Sequence, residues 1–127
     1  MDRAFRILVI EDNALNLELV RDILVSEGYE VFEATDGATG IEIAVLERPD
    51  LILMDLQLPG MDGLEATRRL RADQRTAATP IVAVTAHAMR GDDEKALAAG
   101  CTGFITKPIQ VRKFADAVAR FLREDVR

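Results

Sequence analysis

LILMDLQLPGMDG, residues 51–63, is the stretch that decides the fold. Four apolar residues in a row, Leu51 to Met54, read as a strand buried on both faces, and the run ends directly on Asp55. Asp62, with Glu65 three residues on, has the form of a capping box and opens a helix carrying Leu64 and Leu70. A buried strand followed by a capped helix is one β-α unit, and units of this kind build parallel sheets with helices on both sides.

The same unit recurs on either side. RILVI, Arg6 to Ile10, is a second continuous apolar run and a buried strand. A helix follows over Asn13 to Glu27, with Leu17, Val20 and Leu24 at helical spacing, Leu19 and Ile23 widening the stripe, and Gly28 as its stop. EVFEA, Glu30 to Ala34, alternates polar and apolar and suits an edge strand. Asp36 can cap the next helix, which carries Ile41 and Val45, and Pro49 ends that region. PIVAVT, Pro80 to Thr85, is a further buried strand. Asp92 to Ala99 reads as a weak helix with one large apolar residue, Leu97, and Gly100 ends it. GFIT, Gly103 to Thr106, is a short strand, and Gln110 to Arg123 a helix with Val111, Phe114, Val118 and Phe121 on one face. Five β-α units with three apolar strands in the middle predict a doubly wound α/β fold of strand order 2-1-3-4-5, the flavodoxin-like arrangement.

In such a sheet every strand ends on one rim, where ligands bind. Glu11 and Asp12 follow the first strand, Asp55 ends the third, Thr85 ends the fourth, and Lys107 follows the fifth. Taken singly, each Asp is a loop or cap residue, Thr85 an ordinary strand end and Lys107 a solvated charge. Taken together, three carboxylates, a hydroxyl and an ammonium converge. Clustered carboxylates raise one another's pKa, and a hard divalent cation removes that cost. Oxygen ligands suit Mg²⁺, with Mn²⁺ as a substitute, and one His and one Cys make no zinc set. A carboxylate can serve as nucleophile and form an acyl phosphate, and Asp55, in the middle of the rim, is the best placed. Lys107 could pair with one phosphoryl oxygen and Thr85 could donate its hydroxyl to another.

Composition excludes other classes. The 127 residues fit one domain, read here as residues 1–127 with a core over about 5–124 and no output domain. A hydrophobic fraction of 49% supports a core, which the 5% aromatic share and absence of Trp leave to Leu, Ile, Val and Ala. A net charge of −6 gives no footprint for nucleic acid and repels an anionic membrane. No run approaches the roughly 18 apolar residues of a membrane span, and the start is too soon acidic for a signal peptide. The single cysteine, Cys101, cannot form an internal disulfide and reads as a small buried hydrophobe. The expected compartment is the cytoplasm.

EDN at 11–13, DLQLPGMDG at 55–63, VTAHA at 84–88 and ITKPI at 105–109 together resemble the receiver domain of bacterial response regulators, the CheY-like family, over essentially the whole chain. Among receivers the chain is most similar to single-domain regulators of the DivK type and to the receivers of hybrid histidine kinases. The resemblance implies that Asp55 is the phosphoacceptor and that Asp12, Asp55 and the backbone carbonyl of Gln57 bind Mg²⁺, with Glu11 acting through water. It implies that Thr85 and Lys107 bind the phosphoryl group, that the bond before Pro108 is cis, and that Phe104 changes rotamer on activation. Gln57 and His87 sit where the family tunes dephosphorylation, and Met61 and Met89 flank the rim as packing residues. The implied phosphodonor is a histidine kinase or histidine phosphotransferase. The implied output runs to a protein partner through the face formed by the helix at 92–99, the fifth strand and the last helix. No turnover on a separate substrate is expected, only the domain's own phosphorylation and dephosphorylation.

Three other readings share the fold. A binding adaptor that had lost the chemistry would need none of Glu11, Asp12, Asp55, Thr85 and Lys107. A flavodoxin-like cofactor binder wants a Ser/Thr/Gly-rich loop after the first strand, where this chain has two acids. A phosphatase with an Asp nucleophile usually carries a second Asp two residues on, where this chain has Gln57.

Overall fold

The structure is a computed structural model that describes residues 4–86 and 92–126, with side chains described over 4–86 and 94–123. Five strands, β1 (Arg6–Ile10), β2 (Glu30–Ala34), β3 (Leu51–Asp55), β4 (Ile81–Thr85) and β5 (Gly103–Thr106), form one parallel sheet in the order β2-β1-β3-β4-β5. They alternate with α1 (Ala14–Ser26), α2 (Gly37–Glu47), α3 (Gly63–Ala72), α4 (Asp92–Ala99) and α5 (Val111–Val126). The strand order follows from burial. All residues of β3 and β4 and four of five in β1 are buried, while β2 and β5 are partly exposed and take the edges.

Two apolar layers sandwich the sheet. One packs Ile7, Val9, Leu53, Val82 and Val84 against α1 and α5. The other packs Leu8, Ile10, Ile52, Met54 and Ile81 against α2, α3 and α4. The alternation along each central strand sends successive side chains to opposite layers, which is why these strands read as unbroken apolar runs.

The caps form where expected. Asn13, Asp36 and Asp62 each accept a hydrogen bond from the backbone N–H three residues on, at 3.0, 2.8 and 2.8 Å. Glu65 does not complete a capping box: its carboxylate pairs with Arg69 at 2.9 Å and Arg68 at 3.5 Å. Gly28, at φ +91°, follows the end of α1 as its stop.

Several helix faces differ from the expectation. Leu19 lies 37% exposed and Ile23 is buried, so the α1 stripe is narrower. The core face of α2 is Gly37, Gly40 and Ala44, with Ile41 and Val45 only half-buried. Small residues let α2 lie close on the sheet: a Cβ at Gly40 would run into the Ile10 side chain. In α4 the buried residues are Ala96 and Ala99, and Leu97 stands 53% exposed. Val111 is 59% exposed, Phe121 is half-buried, and Leu122 completes the α5 stripe instead. Apolar periodicity cannot reveal a face made of glycine and alanine, and a large apolar residue near a helix end can point outward.

One side chain ties the α3–α4 side together. The Arg71 guanidinium donates to the carbonyls of Gly100 at 2.8 Å and Ala77 at 3.1 Å, and to that of Thr79. It thereby fastens the C-terminal end of α4 to the segment between α3 and β4.

Candidate functional site at the carboxyl rim

The register brings the expected residues together. Ile10 pairs with Met54, Asp55 with Val84 and Thr85 with Thr106, so Glu11, Asp55, Thr85 and Lys107 fall at the same rim. Glu11, Asp12 and Asp55 each offer a carboxylate oxygen, and these oxygens lie within 4.8 Å of one another. Glu11 and Asp55 are buried, at 3% and 4% exposure, and Asp12 is exposed. Lys107 reaches into the group: its Nζ lies 3.0 Å from Glu11 Oε1 and 3.5 Å from Asp55 Oδ2.

The backbone orients both buried acids. The N–H of Gln57 donates to Asp55 Oδ1 at 3.0 Å, and the N–H of Asn13 donates to Glu11 Oε2 at 3.2 Å. The Lys107 N–H donates to the Thr85 carbonyl at 2.7 Å, which locks the β5 end to the β4 end. Burial first, and then the neighbouring Glu11 carboxylate, push the Asp55 carboxyl above the usual carboxylate range. The Gln57 N–H and the Lys107 ammonium oppose that rise without cancelling it.

The donor set fits a hard divalent cation. It consists of carboxylate oxygens, and one lysine faces three acids. The raised Asp55 carboxyl is that of a buried acid, with Glu11 beside it, whose charged form lacks enough compensation, which a bound dication would supply. Cys101 is buried against Thr67, with its thiol pushed up by burial, and takes no part.

The remaining expected residues divide into three groups. Gln57 reaches the site by its backbone, its side chain being exposed. Phe104 pairs in register with Ala83, two residues back from the rim, and stands 38% exposed. It shares a sheet face with Thr85, because Thr85 is two residues on from Ala83 in the neighbouring strand. Pro108 follows a cis peptide bond, as the resemblance implied, and with Phe104 and Lys113 lines a cleft of about 270 Å³. Met61 is half-buried and would meet any Cβ placed on Gly37. His87 and Met89 lie outside the described residues.

The sequence reading missed Gly63. A Cβ there would strike the Asp55 carbonyl oxygen and come within 2.7 Å of the Leu56 Cα. The first turn of α3 therefore abuts the backbone of the central acid. A glycine at the first position of a helix, where it costs helix stability, was the available signal of a close approach.

Among the described residues, no helix is long and apolar enough to cross a membrane. Comparison with known proteins adds the family. The model of the response regulator receiver domain matches residues 7–119. The polar-differentiation response regulator DivK of Brucella anthropi is 42% identical over 116 residues, covering 91% of this chain and 94% of that protein. Its counterpart in Brucella ovis is 41% identical over the same shares. Among solved structures, the receiver domain of the sensor histidine kinase PA1611 from Pseudomonas aeruginosa PAO1 superposes with a TM-score of 0.87 at 37% identity. It covers 94% of this chain and 98% of that one, and holds a magnesium ion in its active site cleft. The chemotaxis protein CheY4 of Vibrio cholerae superposes with a TM-score of 0.89 at 27% identity, over 93% and 98%. Strand order, rim chemistry and relatives agree, and the chain belongs to the response regulator receiver domains, the CheY-like signalling modules of two-component systems.

Proposed function

We propose that this receiver accepts a phosphoryl group on Asp55 from a phosphohistidine of a histidine kinase or histidine phosphotransferase, and signals by a change of shape. The observation that carries the reading is the rim cluster itself: three carboxylates within 4.8 Å, with the Lys107 ammonium 3.5 Å from Asp55. The Gln57 N–H occupies Oδ1 of Asp55, which leaves Oδ2, on the Lys107 side, as the attacking oxygen. Oδ2 forms a bond to phosphorus, the P–N bond breaks, and its electron pair stays on the donor imidazole. Lys107 and the Thr85 hydroxyl bind phosphoryl oxygens of the product. Glu11, Asp12, Asp55 and the Gln57 carbonyl would hold Mg²⁺, which when bound supplies positive charge against both the carboxylates and the phosphoryl oxygens. Hydrolysis of the acyl phosphate resets the domain, with the side chains of Gln57 and His87 tuning its rate. Like other receivers it is a regulator rather than an enzyme acting on a separate substrate, and we place it in the cytoplasm.

The output follows from packing. Thr85 drawn toward the phosphoryl group vacates space on the face it shares with Phe104, which turns inward. α4 is held to the sheet side by Ala96 and Ala99 rather than by large side chains, so, away from the C-terminal end that Arg71 fastens, it shifts at low cost. A protein partner reads the rearranged α4–β5–α5 face.

Incubation with acetyl phosphate, with and without Mg²⁺, followed by intact mass, tests the site. One phosphoryl group is expected on the wild-type chain with the metal, and none on Asp55→Asn. Labelling that ignores the metal or survives the substitution would overturn the assignment.

A further inference from the structure

The C-terminal end of α4 is built into the fold by polar bonds more than by apolar packing. Among the described residues, the buried side chains of α4 are Ala96 and Ala99, one methyl each. The last turn closes on itself: the Cys101 N–H donates to the Ala96 carbonyl at 2.9 Å, and Gly100 takes the left-handed region at φ +114°. Arg71 covers that turn. Its stem lies against Gly100, where an added Cβ would come within 2.6 Å of the Arg71 Cγ. Its Nε donates to the Gly100 carbonyl at 2.8 Å, while Nη1 donates to the Ala77 carbonyl at 3.1 Å and to that of Thr79.

Both sides of this clamp are tied down. Arg71 stands on α3 next to the fully buried Leu70, and the segment after α3 is held by Thr76, whose buried hydroxyl donates to the Leu70 carbonyl at 2.6 Å. The chain leaving Gly100 is fixed as well. The Thr102 N–H donates to the Ile81 carbonyl at 2.6 Å, and the Thr102 hydroxyl accepts from the Ile81 N–H at 3.2 Å. Ile81 starts β4 and Thr85 ends it, so this anchor lies about 13 Å along the strand from Thr85. Helices in this fold run back from the carboxyl rim, so α4 begins toward the Thr85 end of β4 and closes at the anchor.

We infer that α4 answers phosphorylation by pivoting about Gly100, with Arg71 as the fulcrum, rather than by sliding along the sheet. The inference rests on the output proposed above and adds the kind of motion and the residue that sets it. The displacement starts at the end of the helix toward Thr85 and the restraint lies at the other end, so the helix turns. Gly100 absorbs the turn, because it has wide dihedral freedom and puts no side chain between the helix and Arg71. Eight residues make a helix about 12 Å long. A shift of about 1–2 Å at its first residue, a common size for helix shifts in switches, turns the axis by roughly 5–10°. The surface that a partner reads therefore changes most near the carboxyl rim and least at Gly100.

Residual dipolar couplings of the amide N–H vectors separate turning from sliding, because they report orientation and ignore translation. The isotope-labelled whole chain is measured in Mg²⁺ with and without beryllium fluoride, which mimics an acyl phosphate on a carboxylate. The amides of β1, β3 and β4 supply the frame. The N–H vectors of Ala96, Leu97, Ala98 and Ala99 are expected to turn together by roughly 5–10°, while those of Ile81 and Thr102 keep their directions. Arg71→Gln removes the fulcrum and should cut that turn to less than half, with beryllium fluoride still altering the amide shifts around Asp55. Couplings of α4 that stay constant while its amide shifts change show sliding; they overturn the pivot and leave the proposed output standing. A full turn in Arg71→Gln overturns Arg71 as the fulcrum, and if that variant does not fold, the wild-type couplings alone decide the pivot. Amides of α4 that respond in neither measurement overturn the proposed output and the pivot together.

Discussion

Replacing Gly63 by alanine tests how the fold holds the central acid. Position 63 begins α3, and alanine is favoured over glycine in a helix by up to about 1 kcal/mol. On propensity alone the variant gains stability. The structure reverses the sign. The new Cβ would meet three backbone atoms: the Asp55 carbonyl oxygen, the Leu56 Cα at 2.7 Å and the Asp55 carbonyl carbon at 3.1 Å. The Leu56 contact is roughly 0.7 Å inside ordinary van der Waals distance, and no flexible side chain can yield. Three rigid backbone contacts put the overpacking in the upper part of its usual range, at about 2–3 kcal/mol, so the net expectation is a loss of about 1–2 kcal/mol. For a chain of this size that lowers the thermal midpoint by roughly 3–8 °C. The relief displaces Asp55, and a misplacement near 1 Å can cost on the order of 100-fold in rate. Gly60→Ala is the control. Gly60 has φ +72° and its added Cβ meets nothing within 4 Å, so that variant bears left-handed strain of about 1–2 kcal/mol without moving Asp55. Thermal unfolding and the rate of acetyl phosphate labelling, measured on both variants, separate the effects. Similar losses of stability are expected, with a labelling defect only in Gly63→Ala. A Gly63→Ala chain more stable than wild type that labels at the wild-type rate would refute the close-approach reasoning.

Asp55→Asn is expected to raise the thermal midpoint at pH 7 in the absence of metal. The folded carboxyl titrates above its unfolded value, so the stability it contributes is present at low pH and is lost as pH rises through the folded value. The advantage of the variant should close as pH falls to about 4, and a variant less stable than wild type at pH 7 contradicts the cause assigned to the shift. Added Mg²⁺ should stabilise the wild-type chain, by about 2.7 kcal/mol at 100 times its dissociation constant. Asp12→Asn and Asp55→Asn should lose most of that gain in the same melting assay, and an undiminished gain would place the ion elsewhere. Arg71→Ala leaves carbonyls of the α3–β4 segment and the α4 end without their donor, at about 2 kcal/mol. Faster amide exchange should appear at the C-terminal end of α4 with labelling of Asp55 little changed, and a loss under about 0.5 kcal/mol would show that the clamp contributes little.

The central strands were legible because a strand buried on both faces must be apolar throughout. RILVI, LILM and PIVAVT have few other readings. The caps at Asn13, Asp36 and Asp62 were legible because each satisfies its helix through a bond only three residues away. Where packing rests on absent side chains, the sequence is silent. Nothing in GATGIEIAVLE says that Gly37, Gly40 and Ala44 face the core, or in DDEKALAA that Leu97 faces out.

The site divides in the same way. Local chemistry and strand order determined which residues reach the carboxyl rim, because a parallel sheet delivers every strand end to one side. Only the tertiary structure decided how they meet. The Lys107 ammonium lies closer to Glu11 than to Asp55, the Gln57 N–H takes one oxygen of Asp55, and α3 presses on Asp55 through Gly63. Distances among residues tens of positions apart arise from the packing of whole elements, and no local pattern encodes them.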